Sequence, residues 1–126
     1  MIKRQNMITP RSSFACVYLD NGVYAIGGIT KDNKQIALCE RYDLSSNKWQ
    51  QIAPLNNAVV NCCCTQFMGQ WIYKFGGKWF HGGKMGLSDA IEKYDPRKNK
   101  WFVVGPVLIE DDLKNTPIWL SNMGCS

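Results

Sequence analysis

The sequence predicts an all-β fold built from a repeated four-stranded antiparallel sheet, and three observations carry the prediction. First, four landmarks recur in order. Gly27-Gly28, Tyr42-Asp43, Asn47-Lys48-Trp49 and Pro54-Leu55 return as Gly76-Gly77, Tyr94-Asp95, Asn99-Lys100-Trp101 and Pro106-Val107. The glycine pairs are 49 residues apart and the tryptophans 52, so a three-residue insertion falls between Gly77 and Tyr94. Second, short runs of β-branched, aromatic and aliphatic residues flank tight-turn sequences. Third, the remaining connections are rich in Asn, Asp, Ser and Pro, the residues that close turns.

Taken in order, Phe14–Leu19 and Val23–Gly27 are the first two strands, and Asp20-Asn21-Gly22 between them suits a two-residue hairpin with positive φ. The third strand ends at Tyr42-Asp43 and the fourth begins at Trp49, joined by Leu44-Ser45-Ser46-Asn47-Lys48. The second repeat follows the same plan: strands over 61–68 and 71–76 around a Gly69 turn, a third ending at Tyr94-Asp95, and a fourth starting at Trp101. No helix is expected between residues 14 and 104.

A repeat of about 50 residues with paired glycines, then Tyr-Asp, then Trp, resembles the Kelch family of β-propeller blades. The resemblance covers roughly residues 7 to 108. It implies that Gly27, Gly28, Gly76 and Gly77 lie where strands converge and a side chain would collide with neighbouring backbone. It implies also that Tyr42, Trp49, Tyr94 and Trp101 pack between sheets, and that Asp43 and Asp95 form turns. Such propellers close with 4–8 blades, so the expectation is an incomplete ring, part of a longer chain or a larger assembly. Residues 1–12 read as the end of a preceding blade and a linker, 13–55 as the first repeat, 56–108 as the second, and 109–126 as a loop and the start of a further blade. Aligning Met7 with Leu55 puts Met1 at the place of Trp49, as if the chain began inside a fourth strand.

The net charge is +5, with basic residues spread over turns. That balance suits a protein partner with an acidic surface. It lacks the clustered cations with free aromatics of a nucleic-acid binder. No run of 18 apolar residues could span a membrane, and the N-terminus lacks the apolar core of a signal peptide. Six cysteines, three of them consecutive, read as small hydrophobes with free thiols in a reducing compartment. The expected location is therefore the cytoplasm, with cytoskeletal association compatible.

Chemistry was sought and none is expected. Cys62-Cys63-Cys64 alternate between strand faces and cannot converge on one ion. His81 is the only histidine and has no partner for a metal. The Gly-Lys pairs at 77–78 and 83–84 lack the glycine spacing and following Ser or Thr of a phosphate loop. Glu110-Asp111-Asp112 reads as a solvated loop. No catalytic, cofactor or metal residue is assigned. An enzyme of the Kelch-propeller type, an oxidase or sugar-modifying one, would have to hold its site in other blades.

What remains is surface, since propellers bind through the loops that their rigid blades position. The insertion holds Lys78, Trp79, Phe80, His81 and Lys84, an aromatic and basic mixture of the kind interface hot spots favour. Arg11, which matches the arginine that often precedes the first strand of a Kelch repeat, is a further candidate for partner contact, whereas the second repeat has Val59 there. The expected function is a non-enzymatic protein-interaction module or scaffold. The resemblance suggests as alternatives the substrate-receptor propeller of a ubiquitin-ligase adaptor or a cytoskeletal component.

Overall fold

The computed structural model describes residues 6–106, and these contain strands and turns but no helix. In the first repeat β1 (Ala15–Leu19), β2 (Gly22–Ile26), β3 (Cys39–Asp43) and β4 (Lys48–Ile52) form an antiparallel sheet in the order β1-β2-β3-β4. In the second, β5 (Cys63–Phe67), β6 (Trp71–Phe75), β9 (Ala90–Asp95) and β10 (Lys100–Pro106) pair in the same sequence of neighbours. Asp20 and Asn21 close the first hairpin at φ 50° and 58°, both left-handed as a type I′ turn requires. The second hairpin turns at Met68 and Gly69, at φ 57° and 65°.

The two sheets stack face to face. Register places Ala15, Leu19, Tyr24, Ile26 and Cys39 on one face of the first sheet, and these pack in one core with Ile72, Tyr94 and Trp101 of the second. The Tyr24 and Tyr94 rings meet edge to face at 5.9 Å, an arrangement that aromatic quadrupoles favour. On the second sheet the corresponding outer face, with Trp71, Tyr73 and Phe75, is only half-buried.

The recurrent Asn, Tyr and Trp form one device that ties sheet to sheet. Asn99 takes the left-handed conformation at φ 49°. Its Oδ1 accepts from the Tyr94 hydroxyl at 2.8 Å and from the Ala53 amide at 2.9 Å. The Trp101 indole N–H in turn donates to the Ala53 carbonyl at 2.9 Å. The segment after β4 is thereby pinned by the β9–β10 hairpin. In the first sheet the Tyr42 hydroxyl donates to Asn47 in the same way, and Tyr42 leans on Trp49 as Tyr94 does on Trp101, at 5.3 and 5.0 Å between centroids.

The glycine pairs are crowded, with one difference. A Cβ on Gly28 would lie 2.7 Å from the Ser12 carbonyl oxygen, and one on Gly27 2.9 Å from that of Val59 in the segment before β5. Gly77 faces Val59, Cys62 and Val60 at 3.0–3.2 Å. Gly76 does not share the crowding expected of all four, since no described residue comes within 4 Å of its Cβ position.

Two further expectations are corrected. The insertion after Gly77 folds as a separate two-stranded sheet, β7 (Lys78–His81) and β8 (Lys84–Leu87). The expectation of free thiols throughout does not hold at Cys63, which is disulfide-bonded. Cys16, Cys39, Cys62 and Cys64 are free. The reading of 118–126 as a new blade lies outside the described residues.

Candidate functional site: the β7–β8 hairpin

Where the first repeat makes a short turn over 29–35, closed by Thr30 and Lys34, the second extends the same connection into a hairpin. Gly82 and Gly83, at φ 58° and 78°, form a two-residue turn, so His81 and Lys84 are directly opposed, followed by Phe80 with Met85, Trp79 with Gly86 and Lys78 with Leu87. Opposed residues share a face and successive ones alternate. Phe80, Met85, Leu87 and Lys78 therefore line one face, and Trp79, His81 and Lys84 the other.

Among the described residues the hairpin is anchored on its β7 edge. Lys78 exchanges backbone bonds with Val60, N to O in both directions at 2.8 and 2.9 Å. One position further in the ladder, the Gln35 side chain takes the place of a strand: its Nε2 donates to the Phe80 carbonyl and its Oε1 accepts from the Phe80 amide, both at 2.8 Å. The first repeat thus holds the β7 edge of the second. Large apolar side chains remain in solvent: Phe80 is 45% exposed, Met85 59% and Leu87 74%. Trp79 is 38% exposed, and its ring lies over Gly86, where a Cβ would come within 2.2 Å of the indole. His81 and Lys84 are exposed, and Lys78 is half-buried.

The other residue singled out in the sequence lies elsewhere. The Arg11 side chain is fully buried in a 2.6 Å ion pair with Glu40 and donates to the carbonyls of Leu38, Gly27 and Thr9. Glu40 also accepts the amides of Ile8 and Thr9. Every polar side-chain atom of the pair is engaged, so the Arg11 guanidinium presents no surface to a partner, and it does not join the hairpin residues.

The second sheet solves the same problem with a different residue. Glu92 occupies the place of Glu40 and accepts the amide and side-chain N–H of Asn56, the counterpart of Ile8. Val59 replaces the arginine. A cation is instead found at Lys74, directly opposite Glu92 in the β6–β9 ladder and fully buried, although among the described residues the two form no ion pair within 4.0 Å. Its Nζ donates to the Ala90 carbonyl, the counterpart of the Leu38 carbonyl that Arg11 reaches, and to Ser88 Oγ, at 3.3 and 3.4 Å. Glu92 Oε2 has no partner among the described residues. Comparing the repeats position by position, Arg11 with Val59 and Ala25 with Lys74, is the signal that exposes this exchange.

The thiols between the sheets offer no nucleophile poised at a surface. Burial pushes Cys39 up to about 12 and holds Cys64 well above its ordinary range. The hydrogen bond from Cys64 draws Cys62 down, but Cys62 is buried. Among the described residues no three His, Cys, Asp or Glu side chains converge as a metal site would need, and no helix is long and apolar enough to cross a membrane.

Stacked four-stranded sheets, crowded by glycine pairs at one end and tied by Tyr, Asn and Trp at the other, are blades of a β-propeller, an incomplete ring in this chain. A family model for the Kelch motif matches residues 10–56. The chain belongs to the Kelch-repeat family. It is 33% identical over 116 residues to Kelch-like protein 23 of Pongo abelii, covering 92% of this chain and 18% of that protein. It is 32% identical over 100 residues to Kelch repeat and BTB domain-containing protein 8 of Xenopus tropicalis, covering 72% and 16%. A similar likeness holds to Kelch-like protein 35 of Mus musculus, 32% over 106 residues. The chain spans less than a fifth of the length of these relatives.

Proposed function

We propose that this chain is a non-enzymatic protein-interaction module in which the β7–β8 hairpin contacts the partner. The observation that carries the proposal is that a rigidly anchored insertion places Phe80, Met85 and Leu87 in solvent. Blade packing does not require this, because the first repeat makes the same connection with a short turn. Exposed apolar clusters rimmed by charge mark interaction sites. The test compares Phe80→Ala/Leu87→Ala with the wild type in the protein as expressed. The expected result is unchanged unfolding and loss of a partner recovered with the wild type, by a factor in the hot-spot range of ~2 kcal/mol or more. Unfolding of the variant, or retention of the partner at full affinity, overturns the proposal.

A finer reading is the substrate receptor of a ubiquitin-ligase adaptor. It is supported by a relative whose name joins Kelch repeats to a BTB domain. Partner degradation that depends on Phe80 and Leu87 is the expected outcome. Binding without any effect on partner turnover favours a scaffold instead.

A further inference from the structure

The hairpin belongs to the second repeat, yet a side chain of the first lies along its β7 edge. Gln35 stands at the end of the 29–35 turn, which is itself fixed. Asn33 is left-handed at φ 59°, and the Thr30 and Asn33 amides donate to the Lys34 and Thr30 carbonyls, both at 3.0 Å. The Ile36 amide donates to the Gly28 carbonyl at 2.9 Å. Gln35 is thereby held half-buried beside β7. Its carboxamide carries a donor and an acceptor in one plane, and both go to the same residue, Phe80, at 2.8 Å. That is the bonding of an opposed residue in an antiparallel pair, supplied by a side chain 45 residues away. Few residue types could supply it. A glutamate only accepts, a lysine only donates, and an asparagine is one methylene shorter.

A two-stranded ribbon holds its own shape only marginally in water, so its orientation depends on what grips it. Among the described residues the backbone bonds that tie the hairpin down, apart from those to Gln35, come from its own repeat and sit at its root. Lys78 exchanges bonds with Val60, and the Ser88 amide donates to the Gly77 carbonyl at 2.8 Å. A ribbon gripped at the root alone can still pivot. Phe80 lies two residues further along β7, nearer the Gly82-Gly83 turn, so the Gln35 contact is the one that removes this freedom. We infer that Gln35 is the positioning residue of the hairpin: through one carboxamide the first blade fixes the orientation in which the second presents Phe80 and Leu87 to a partner. The contact surface is then a joint property of two blades, which the second blade alone would not reproduce. This rests on the proposed role of the hairpin and states what holds that site in shape.

Two variants of the protein as expressed test it by NMR. Gln35→Met keeps the length and removes both bonds, and Gln35→Glu keeps an acceptor but sets a carboxylate oxygen against the Phe80 carbonyl. Amide hydrogen exchange reads the bonds, and residual dipolar couplings read the orientation. In the wild type the amides of 78–87 should fit the same alignment as the two sheets. In either variant the Phe80 amide should exchange at least tenfold faster and the couplings of 79–86 should depart from that alignment. The Lys78 amide, bonded to Val60, and the unfolding midpoint should not change. Each variant should bind the partner protein recovered with the wild type at least fivefold more weakly. Unchanged exchange and couplings overturn the inference, and so does a fall in the unfolding midpoint that accounts for the weaker binding. A released hairpin that keeps full affinity, when Phe80→Ala/Leu87→Ala loses it, also overturns the inference and leaves the proposed function standing. A released hairpin together with full affinity in Phe80→Ala/Leu87→Ala overturns the proposed function and, with it, any presentation to a partner.

Discussion

Replacing Lys74 with methionine separates the charge of the second blade from its packing. The methionine stem occupies nearly the same volume, so little cavity is created, but the cation opposite Glu92 in the ladder is removed. Both residues are fully buried, and the lysine's two bonds are long, at 3.3 and 3.4 Å. Lost hydrogen bonding is thus the smaller part. The larger part is a buried carboxylate left without the cation opposite it in the ladder; because the two groups form no ion pair within 4.0 Å among the described residues, the loss should fall below the ~3–5 kcal/mol of a broken buried pair. Urea unfolding should show the midpoint falling at unchanged slope. Two second-site changes check the cause. Lys74→Met with Glu92→Gln should recover most of the loss, and Val59→Arg with Lys74→Ala should rebuild the arrangement that Arg11 and Glu40 hold in the first blade. A single-mutant loss below about 1 kcal/mol, or a double mutant no better than the single, would show that Lys74 is not what neutralises Glu92.

Gly28→Ala should destabilise by well over the ~1 kcal/mol of an ordinary left-handed penalty, because its Cβ meets the Ser12 carbonyl at 2.7 Å. Gly76→Ala, with open space around it, should cost no more than that penalty, and equal melting shifts for the two would contradict the geometry. Asn99→Gly keeps the turn but removes the acceptor shared by Tyr94 and Ala53, so a loss of about 1–3 kcal/mol is expected in denaturant titrations. Burial raises Cys39 from 9.0 to about 12 and raises Tyr94 above 10.0. Both must stay protonated in the folded state while the unfolded chain ionises, so their contribution is complete below pH 9 and is lost as pH rises from there toward 12. Cys39→Ala should flatten the first part of that decline in stability measured against pH.

The repeat was legible because each of its landmarks answers a local backbone or packing demand that any copy must meet. Asp20-Asn21 announce a left-handed turn, Asn47 and Asn99 stand where the β3–β4 and β9–β10 hairpins need one, and Tyr94 and Trp101 pack where large aromatics are required. The hairpin at 78–87 was missed for a different reason. Its signal, Gly82-Gly83 between Phe80-His81 and Lys84-Met85, is the ordinary one for a two-residue turn, but β8 is only four residues with a glycine inside it. Nothing in the sequence says that Trp79 fills the place of a Gly86 side chain, or that Gln35, 45 residues away, substitutes for a strand beside Phe80. Arg11 shows the opposite case. Its match to the family's arginine suggests a partner contact, and only the position of Glu40 on β3 explains why its side chain is buried.

Differences between the two repeats divide into two kinds, and the division bears on where function lies. Val59 and Lys74 depart from Arg11 and Ala25 together, and each departure compensates the other: a cation leaves one strand, enters another, and reaches the equivalent carbonyl. That is a conserved physical requirement met by different residues. The insertion after Gly77 has no such compensation. It adds Phe80, Met85 and Leu87 to the solvent side, closes the β7 edge with Gln35, and leaves the outer edge of β8 without bonds among the described residues. Burying apolar side chains stabilises a fold, whereas exposing them gains nothing for the isolated chain. Among the described residues two contacts hold the β7 edge and none the outer edge of β8, so what covers Phe80, Met85 and Leu87 is to be sought beyond these two blades.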